Sequence, residues 1–452
     1  MRAHKTIDMT QGKILPTLLK FALPLIFGSL FQQLYTFVDS AIVGNFVSSD
    51  ALTAIGVTSS LNFLVLGLTM GSAIGFSIPI SQGVGKGSEA ETNRAFWNGL
   101  YLTLAIGLLV SIGVSPFVRS LLRLMNTSEK LLDMATAYLT IIFVGQISTV
   151  LYNYLAGVIR AFGDSRSPFI FLVISGVINI LLDLLFVLVI PMGVSGAAIA
   201  TVISQVISAL LCILWIKKRK LIRKCGADGE KLYAPSAEYM RKICLIGLPL
   251  GLEYSVCSIG NVVLQGSINT LGDLYATSQY CGERIRSIAT IPMESVGTAI
   301  ATFAAQNFGA KRYDRIREGV KCGLIIQGSY CVISFLVLLL LGEPLIHLLL
   351  GTSETPEAIL SAEYLFIISL LFIFHGSLMV FRNTVQGMGY SASTLASSAM
   401  EILGRSMSGI LAVYFGSFFL ICISAPMAWC LALICCTLLF SVYIRKAEKD
   451  LR

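Results

Sequence analysis

The chain has 452 residues, 55% of them hydrophobic and 13% charged, where an ordinary soluble domain is roughly 25% charged. A soluble fold of this size cannot hide that much apolar surface, and the apolar residues come in blocks that match the roughly 20 residues a helix needs to cross about 30 Å of hydrocarbon. The net charge of +8 does not point to nucleic acid, because Lys and Arg fall in short loops between apolar blocks and not along one face.

Taken in chain order, the first apolar block runs through Phe21, Pro24 and Phe31 to Asp39 with no small-residue cleavage site, so it reads as a retained membrane helix and not a signal peptide. Apolar blocks and their breakers predict spans near 14–43, 52–80, 95–117, 133–158, 167–190 and 194–216, then 242–269, 276–306, 319–341, 358–387, 393–415 and 418–444. One side of the membrane receives Arg2, Lys5, Lys13, Lys20, Lys86, Arg94, Arg160, Arg166, the run from Lys217 to Lys242, Lys311 to Lys321, and Arg445 to Arg452; the other receives Arg119, Arg123 and Lys130. Positive charge is retained inside, which predicts two cytoplasmic termini and a multi-pass protein of the cell inner membrane. The expected organisation is an N-terminal lobe over 1–216, a solvated basic linker over 217–241, a C-terminal lobe over 242–444 and a cytoplasmic tail over 445–452. All eleven cysteines lie between Cys212 and Cys436 without a CxxC pair, and read as packing residues, not disulfides or metal ligands.

The two halves repeat. Pro24 aligns with Pro249 at an offset of 225, Gln82-Gly83-Val84-Gly85 with Gln306-Asn307-Phe308-Gly309 at 224, and Ile159-Arg160-Ala161-Phe162-Gly163-Asp164 with Val385-Gln386-Gly387-Met388-Gly389-Tyr390 at 226. A repeat of six helices leaves both halves in one orientation, an arrangement transporters use to place substrate between two lobes. The expected fold is therefore all-α, with twelve transmembrane helices in two pseudo-symmetric six-helix lobes.

Ionisable groups inside spans cost about 2.5 to 3.5 kcal/mol on insertion scales, so each calls for a reason. Tyr35 and Asp39 are spaced i, i+4 and share a helix face, as do Asn179 and Asp183. The tight connection Ile190 to Val194 makes the fifth and sixth spans antiparallel neighbours, with Asp183 and Thr201 each about 12 to 15 Å from that turn. These five residues are expected to share a polar cavity in the outer half of the first lobe. Two carboxylates in a poorly hydrated cavity cannot both stay ionised cheaply, so the pair is expected to exchange protons; a static hydrogen-bonded cluster is the alternative. Pro24, fifteen residues before Asp39, is a hinge or an inert kink. In the second half, Glu253, Glu294, His375, Arg382, Glu401 and Arg405 are candidates to line a cavity. Glu401 and Arg405 are spaced to pair, and His375 reads as a packed neutral ring.

The chain resembles the multidrug and toxic compound extrusion (MATE) exporters over nearly its whole length. The residues that carry the resemblance are VDSAIVGNF with Asp39, SQGVGKG, RAFGDSRSP, NILLDLLF with Asp183, and GVSGAAIATVISQ. It looks most like the DinF-like and MepA-like prokaryotic branch, whose tyrosine, two aspartates, asparagine, threonine and bending proline match Tyr35, Asp39, Asp183, Asn179, Thr201 and Pro24. The NorM-like branch places acids in the seventh and tenth spans; here Glu253 lies closer to the proline and the tenth span offers His375, which argues against a cation site in the second lobe.

The resemblance implies rocker-switch efflux of bulky, often cationic and amphipathic small molecules in exchange for H⁺ or Na⁺, with Na⁺ held at Asp39, Asp183 and Asn179. No other cofactor, no nucleic acid and a monomer in the lipid bilayer are expected. A lipid-linked oligosaccharide flippase is the alternative, but it would need a strongly cationic cavity, for which only Arg284, Arg286, Arg382 and Arg405 are available. HExxH, GxSxG and P-loop signatures are absent, so the chain is not expected to be an enzyme.

Overall fold

A computed structural model describes residues 6–226, 229–351 and 355–450. Arg2, Lys5 and Arg452 of the basic side, and Ala227 and Asp228 of the linker, lie outside the described residues. The helices are α1 (Ile14–Phe46), α2 (Ser49–Phe76), α3 (Ile78–Lys86), α4 (Glu89–Leu108), α5 (Val118–Leu124), α6 (Glu129–Val144), α7 (Gln146–Ala161), α8 (Arg166–Leu184) and α9 (Val194–Arg219). They continue with α10 (Ala237–Leu271), α11 (Asp273–Gly309), α12 (Tyr313–Leu350), α13 (Pro356–Leu370), α14 (Phe372–Gly387), α15 (Ser391–Phe415), α16 (Phe418–Cys422) and α17 (Ser424–Lys449). Among the described residues there is no strand, only an isolated bridge between Cys225 and Lys231. The protein is an all-α, multi-pass membrane protein.

Among the described residues, nine helical stretches are long and apolar enough to cross a membrane, and eleven when α6 with α7 and α13 with α14 each count as one bent span. The expected eleventh span, α15, is a helix but falls outside that set, since it carries Glu401, Arg405 and six serines. The expected last span is broken at Ile423, between α16 and α17. The bends of 44° and 45° fall at Gly145 and Leu371, counterparts at the repeat offset of 226, so both halves interrupt their fourth span at one place. Many hydroxyls that would be stranded in lipid bond back along their own helix, as Thr36 does to Gln32 O at 2.9 Å and Ser40 to Thr36 O at 3.0 Å.

The chain forms two compact units: Phe27–Leu252 with the segment ending at Asp8 is unit 1, and Met9–Ile26 with the chain from Glu253 onward is unit 2. They do not coincide with lobes divided at 216 and 242, because α1 changes unit after Ile26 and α10 after Leu252, each just past its proline. The first part of α10 belongs to unit 1 because glycines bring it onto α2. A Cβ on Gly75 would stand 2.5 Å from Gly247 Cα, and one on Gly71 2.8 Å from Gly251 Cα, the close backbone approach that small residues four apart permit in membrane helices.

The basic linker is also part of unit 1, and it is docked along one side while most of its side chains stay exposed. Asn93, Trp97 and Tyr101 present one face of α4 at four-residue spacing. Asn93 Oδ1 accepts from Arg223 N, Trp97 Nε1 donates to Arg223 O, and Tyr101 OH donates to Tyr233 O. Asn98 Oδ1 accepts from Ser236 N, Arg94 pairs with Glu230, Arg223 pairs with Glu89, and Leu232 is buried beneath.

Candidate functional site

In unit 1, α1 meets α8 at Gly176, where a Cβ would lie 2.6 Å from Phe31 Cε1 and 3.2 Å from Tyr35 Cδ1. Three residues on from that glycine is Asn179, and one further turn brings Asp183 to the same side. Tyr35 sits one turn before Asp39 on α1, so the approach of the two helices carries Asp39 to Asp183, and their carboxyls lie against each other. Asp183 is 0% exposed and Asn179 1%.

Among the described residues nothing neutralises this pair. Both oxygens of Asp183, Oδ1 of Asp39 and both amide atoms of Asn179 have no hydrogen-bond partner among the described residues. The charged neighbour of each carboxyl is the other carboxyl, with no lysine or arginine of the described residues beside them. Two like charges brought together in a weakly polarisable interior repel, so the arrangement calls for a proton or a cation between them.

Tyr138 of α6 is buried within electrostatic reach of both carboxyls. The sequence reading missed it, since a single phenol in an apolar helix looks like core until the fold turns it toward the acids. Thr201 is on the neighbouring α9, but its hydroxyl donates to Ala197 O at 3.0 Å and makes no bond to the other four expected residues. Pro24 is half-buried within α1, in the part of that helix that belongs to unit 2. Among the described residues no cluster of three or more His, Cys, Asp or Glu is disposed to hold a metal ion; the oxygens of Asp39, Asp183 and Asn179 are what unit 1 offers to a cation.

Unit 2 holds its charges differently. Arg382 of α14 bridges Glu253 of α10, at 3.2 Å, and Glu401 of α15. Arg405 binds the other oxygen of Glu401 at 3.2 Å and donates to Cys257 O. The second oxygen of Glu253 accepts from Gln386 at 2.8 Å and Thr394 at 3.1 Å. Two glutamates and two arginines thus form a closed, buried and neutral network. The i, i+4 pairing of Glu401 with Arg405 is only its edge, and Arg382 is its centre.

His375 is 7% exposed, packs on Trp429 with ring centroids 4.7 Å apart, and has no hydrogen-bond partner on either nitrogen among the described residues. Glu294 stays outside the network, exposed and within electrostatic reach of Arg286, which itself pairs with Glu283.

The MatE family model matches residues 24–185 and again 249–410, one copy in each half at the repeat offset of 225. The chain belongs to the MatE family. Its MatE relatives include the probable multidrug resistance protein YpnP of Bacillus subtilis, 30% identical over 387 residues that cover 85% of each chain. DNA damage-inducible protein F of Escherichia coli is 27% identical over 353 residues, 76% of this chain and 74% of the other. The crystal structure of MATE in the bent conformation superposes with a TM-score of 0.90 at 20% identity, covering 99% of both chains, and so shares the fold. The chain is thus a member of a multidrug transporter family, and the two glutamate-arginine pairs of unit 2 and the bare aspartates of unit 1 are features of a MatE protein.

Proposed function

We propose that this MatE protein is a secondary active efflux transporter that exports bulky, amphipathic, often cationic small molecules by rocker-switch alternating access. The exchange is for H⁺ or Na⁺, bound at Asp39 and Asp183 with Asn179, Tyr35 and Tyr138 around them. The observation that carries the reading is the meeting of two aspartate carboxyls with no basic partner among the described residues. A buried acid pair of this kind gains most from a proton or a small cation, and exchanging that ion between the two sides of a membrane is the coupling an antiporter requires. The driving force suffices, since one charge crossing 100 mV releases about 2.3 kcal/mol. Pro24 serves as the hinge of α1, where a missing backbone bond lets the helix bend as the ion site fills and empties.

The test is transport of rhodamine 123 in proteoliposomes, with pH and sodium gradients imposed separately. Gradient-driven transport is expected in the native protein and lost in Asp39→Asn and in Asp183→Asn, both still folded. Full transport in both variants would sink the reading. The flippase alternative is weaker because Arg286, Arg382 and Arg405 are each bound to glutamate, so that of those four arginines only Arg284, on the Tyr280 hydroxyl, is without a carboxylate among the described residues.

A further inference from the structure

Arg160 occupies the last turn of α7, at the basic end of unit 1. Its guanidinium folds back over Gly157, where a Cβ would lie 3.8 Å from Nη2 and 2.8 Å from Ser77 Oγ. The side chain therefore runs inward along the helix, not out from its end. The titratable groups within its reach are Tyr152, two turns back on α7, and Cys212 of α9; neither is a carboxylate. Asp164, the acid of the same turn, is committed elsewhere: it caps α8, accepting from Arg166 N at 3.1 Å, Ser167 N at 2.9 Å and Ser167 Oγ at 2.6 Å.

A guanidinium stays charged under all physiological conditions and offers five donors. The other half-buried and buried arginines meet that requirement. Arg94, Arg286, Arg382 and Arg405 have carboxylates, Arg315 has the carbonyls of Met9, Gln11 and Gly12, and Arg219 lies over the Trp215 ring. Arg160 alone among these has neither an acceptor nor a stacked ring from the described residues.

The internal repeat supplies a second, independent observation. The counterpart of Arg160 at offset 226 is Gln386, which donates to a carboxylate of the chain itself, Glu253 Oε2, at 2.8 Å. The counterpart of Glu253 at offset 225 is Gly28, whose missing side chain would meet only Phe169 and Leu172 at ordinary distances of 3.5 and 3.7 Å. Unit 1 thus keeps the donor, in a stronger and charged form, and has lost the carboxylate that the duplicated position binds. Tyr152 is in turn within electrostatic reach of Tyr35, so Arg160 heads a line of polar groups that leads to the aspartate pair.

We propose that Arg160 is an oxyanion-binding residue, taking from outside the chain the carboxylate or phosphate that Gly28 does not provide. The oxyanion is either the acidic group of a transported amphiphile or the headgroup of an anionic phospholipid at the basic side of the membrane. For the first source the proposal rests on the efflux reading and extends it to substrates that carry an acid as well as a cation.

The test uses purified full-length protein in nanodiscs and needs no ion gradient, so it stands apart from any failure of the transport assay. Rhodamine 110, a free carboxylic acid, and rhodamine 123, its methyl ester, are titrated against native protein, Arg160→Gln, Arg160→Lys and Gly28→Glu, while native mass spectrometry counts retained phosphatidylglycerol. If the substrate acid is the ligand, Arg160→Gln weakens rhodamine 110 binding by roughly tenfold, the size of one charge-assisted bond, with rhodamine 123 changed less than about twofold and Arg160→Lys between. If a lipid headgroup is the ligand, both dyes bind all variants alike and phosphatidylglycerol is lost from Arg160→Gln. Gly28→Glu leaves Arg160 in place but restores the internal carboxylate, so it should fold normally and remove the same ligand. Unchanged rhodamine 110 affinity and unchanged phosphatidylglycerol in Arg160→Gln and Gly28→Glu would overturn the proposal and leave Arg160 as a helix-terminal charge.

Discussion

In unit 1 Asp39 and Asp183 face each other bare, whereas in unit 2 Glu253 and Glu401 are closed into a ring of bonds by Arg382, Arg405, Gln386 and Thr394. The MatE family model matches both halves. The repeat counterparts of the two aspartates are Leu264 and Gly409, and a Cβ on Gly409 would stand 3.7 Å from Leu264 Cδ1, so the same two positions touch in each unit. The counterparts of Glu401 and Arg405 are Ser175 and Asn179, and Ser175 is bonded to Ser208 at 2.6 Å. Packing follows the same logic with sizes exchanged: Tyr35 covers Gly176 in unit 1, and Ile402 covers Gly260 in unit 2. Duplication fixed which positions meet, and the side chains then made one meeting point ionisable and the other structural.

That comparison breaks most visibly at its structural end. Arg382→Gln leaves two buried glutamates facing each other, and the expected loss is about 3 to 5 kcal/mol, read as a large fall in thermal stability, whereas Asp39→Asn and Asp183→Asn should unfold no earlier than the native protein. Leu264→Asp comes next: it places a lone acid at the position of unit 2 that is apolar, with an expected cost of about 2.5 to 3.5 kcal/mol. An unchanged melting temperature there would mean that unit 2 is as well prepared for a carboxyl as unit 1. Gly176→Leu overpacks the contact with Phe31 and Tyr35 at a cost of about 1 to 3 kcal/mol, and should reduce transport in proteoliposomes more than its stability loss accounts for, because it moves Asp39 away from Asp183. Tyr138→Phe is the mildest change. Removing one hydroxyl, worth about 0.5 to 1.5 kcal/mol, should shift the ion concentration for half-maximal transport by less than about tenfold with the fold intact.

The spans, the repeat and the aspartate positions were legible in the sequence because they rest on local periodicity. Apolar blocks set helix lengths, and i, i+4 spacing puts Tyr35 with Asp39 and Asn179 with Asp183. What escaped depended on side chains far apart in the chain. Glu401 with Arg405 could be paired by spacing, but Arg382, nineteen residues from Glu401, could not. The same is true of the linker. Its composition reads as a solvated basic stretch, and only the face of Asn93, Trp97 and Tyr101 shows that it is bound. The change of unit within α1 and α10 was hidden for a related reason, since Gly71, Gly75, Gly247 and Gly251 signal close packing only once their partners are known.

Infrared difference spectroscopy across a pH step, with and without sodium, tests the central claim most directly, because it reads whether a carboxyl in the protein gains and loses a proton. The account expects a carboxyl band that appears on acidification, is suppressed by sodium if that ion competes for the site, and vanishes in Asp39→Asn and Asp183→Asn while Glu401→Gln leaves it in place. A band that survives both aspartate substitutions, or that disappears with Glu401, would contradict it.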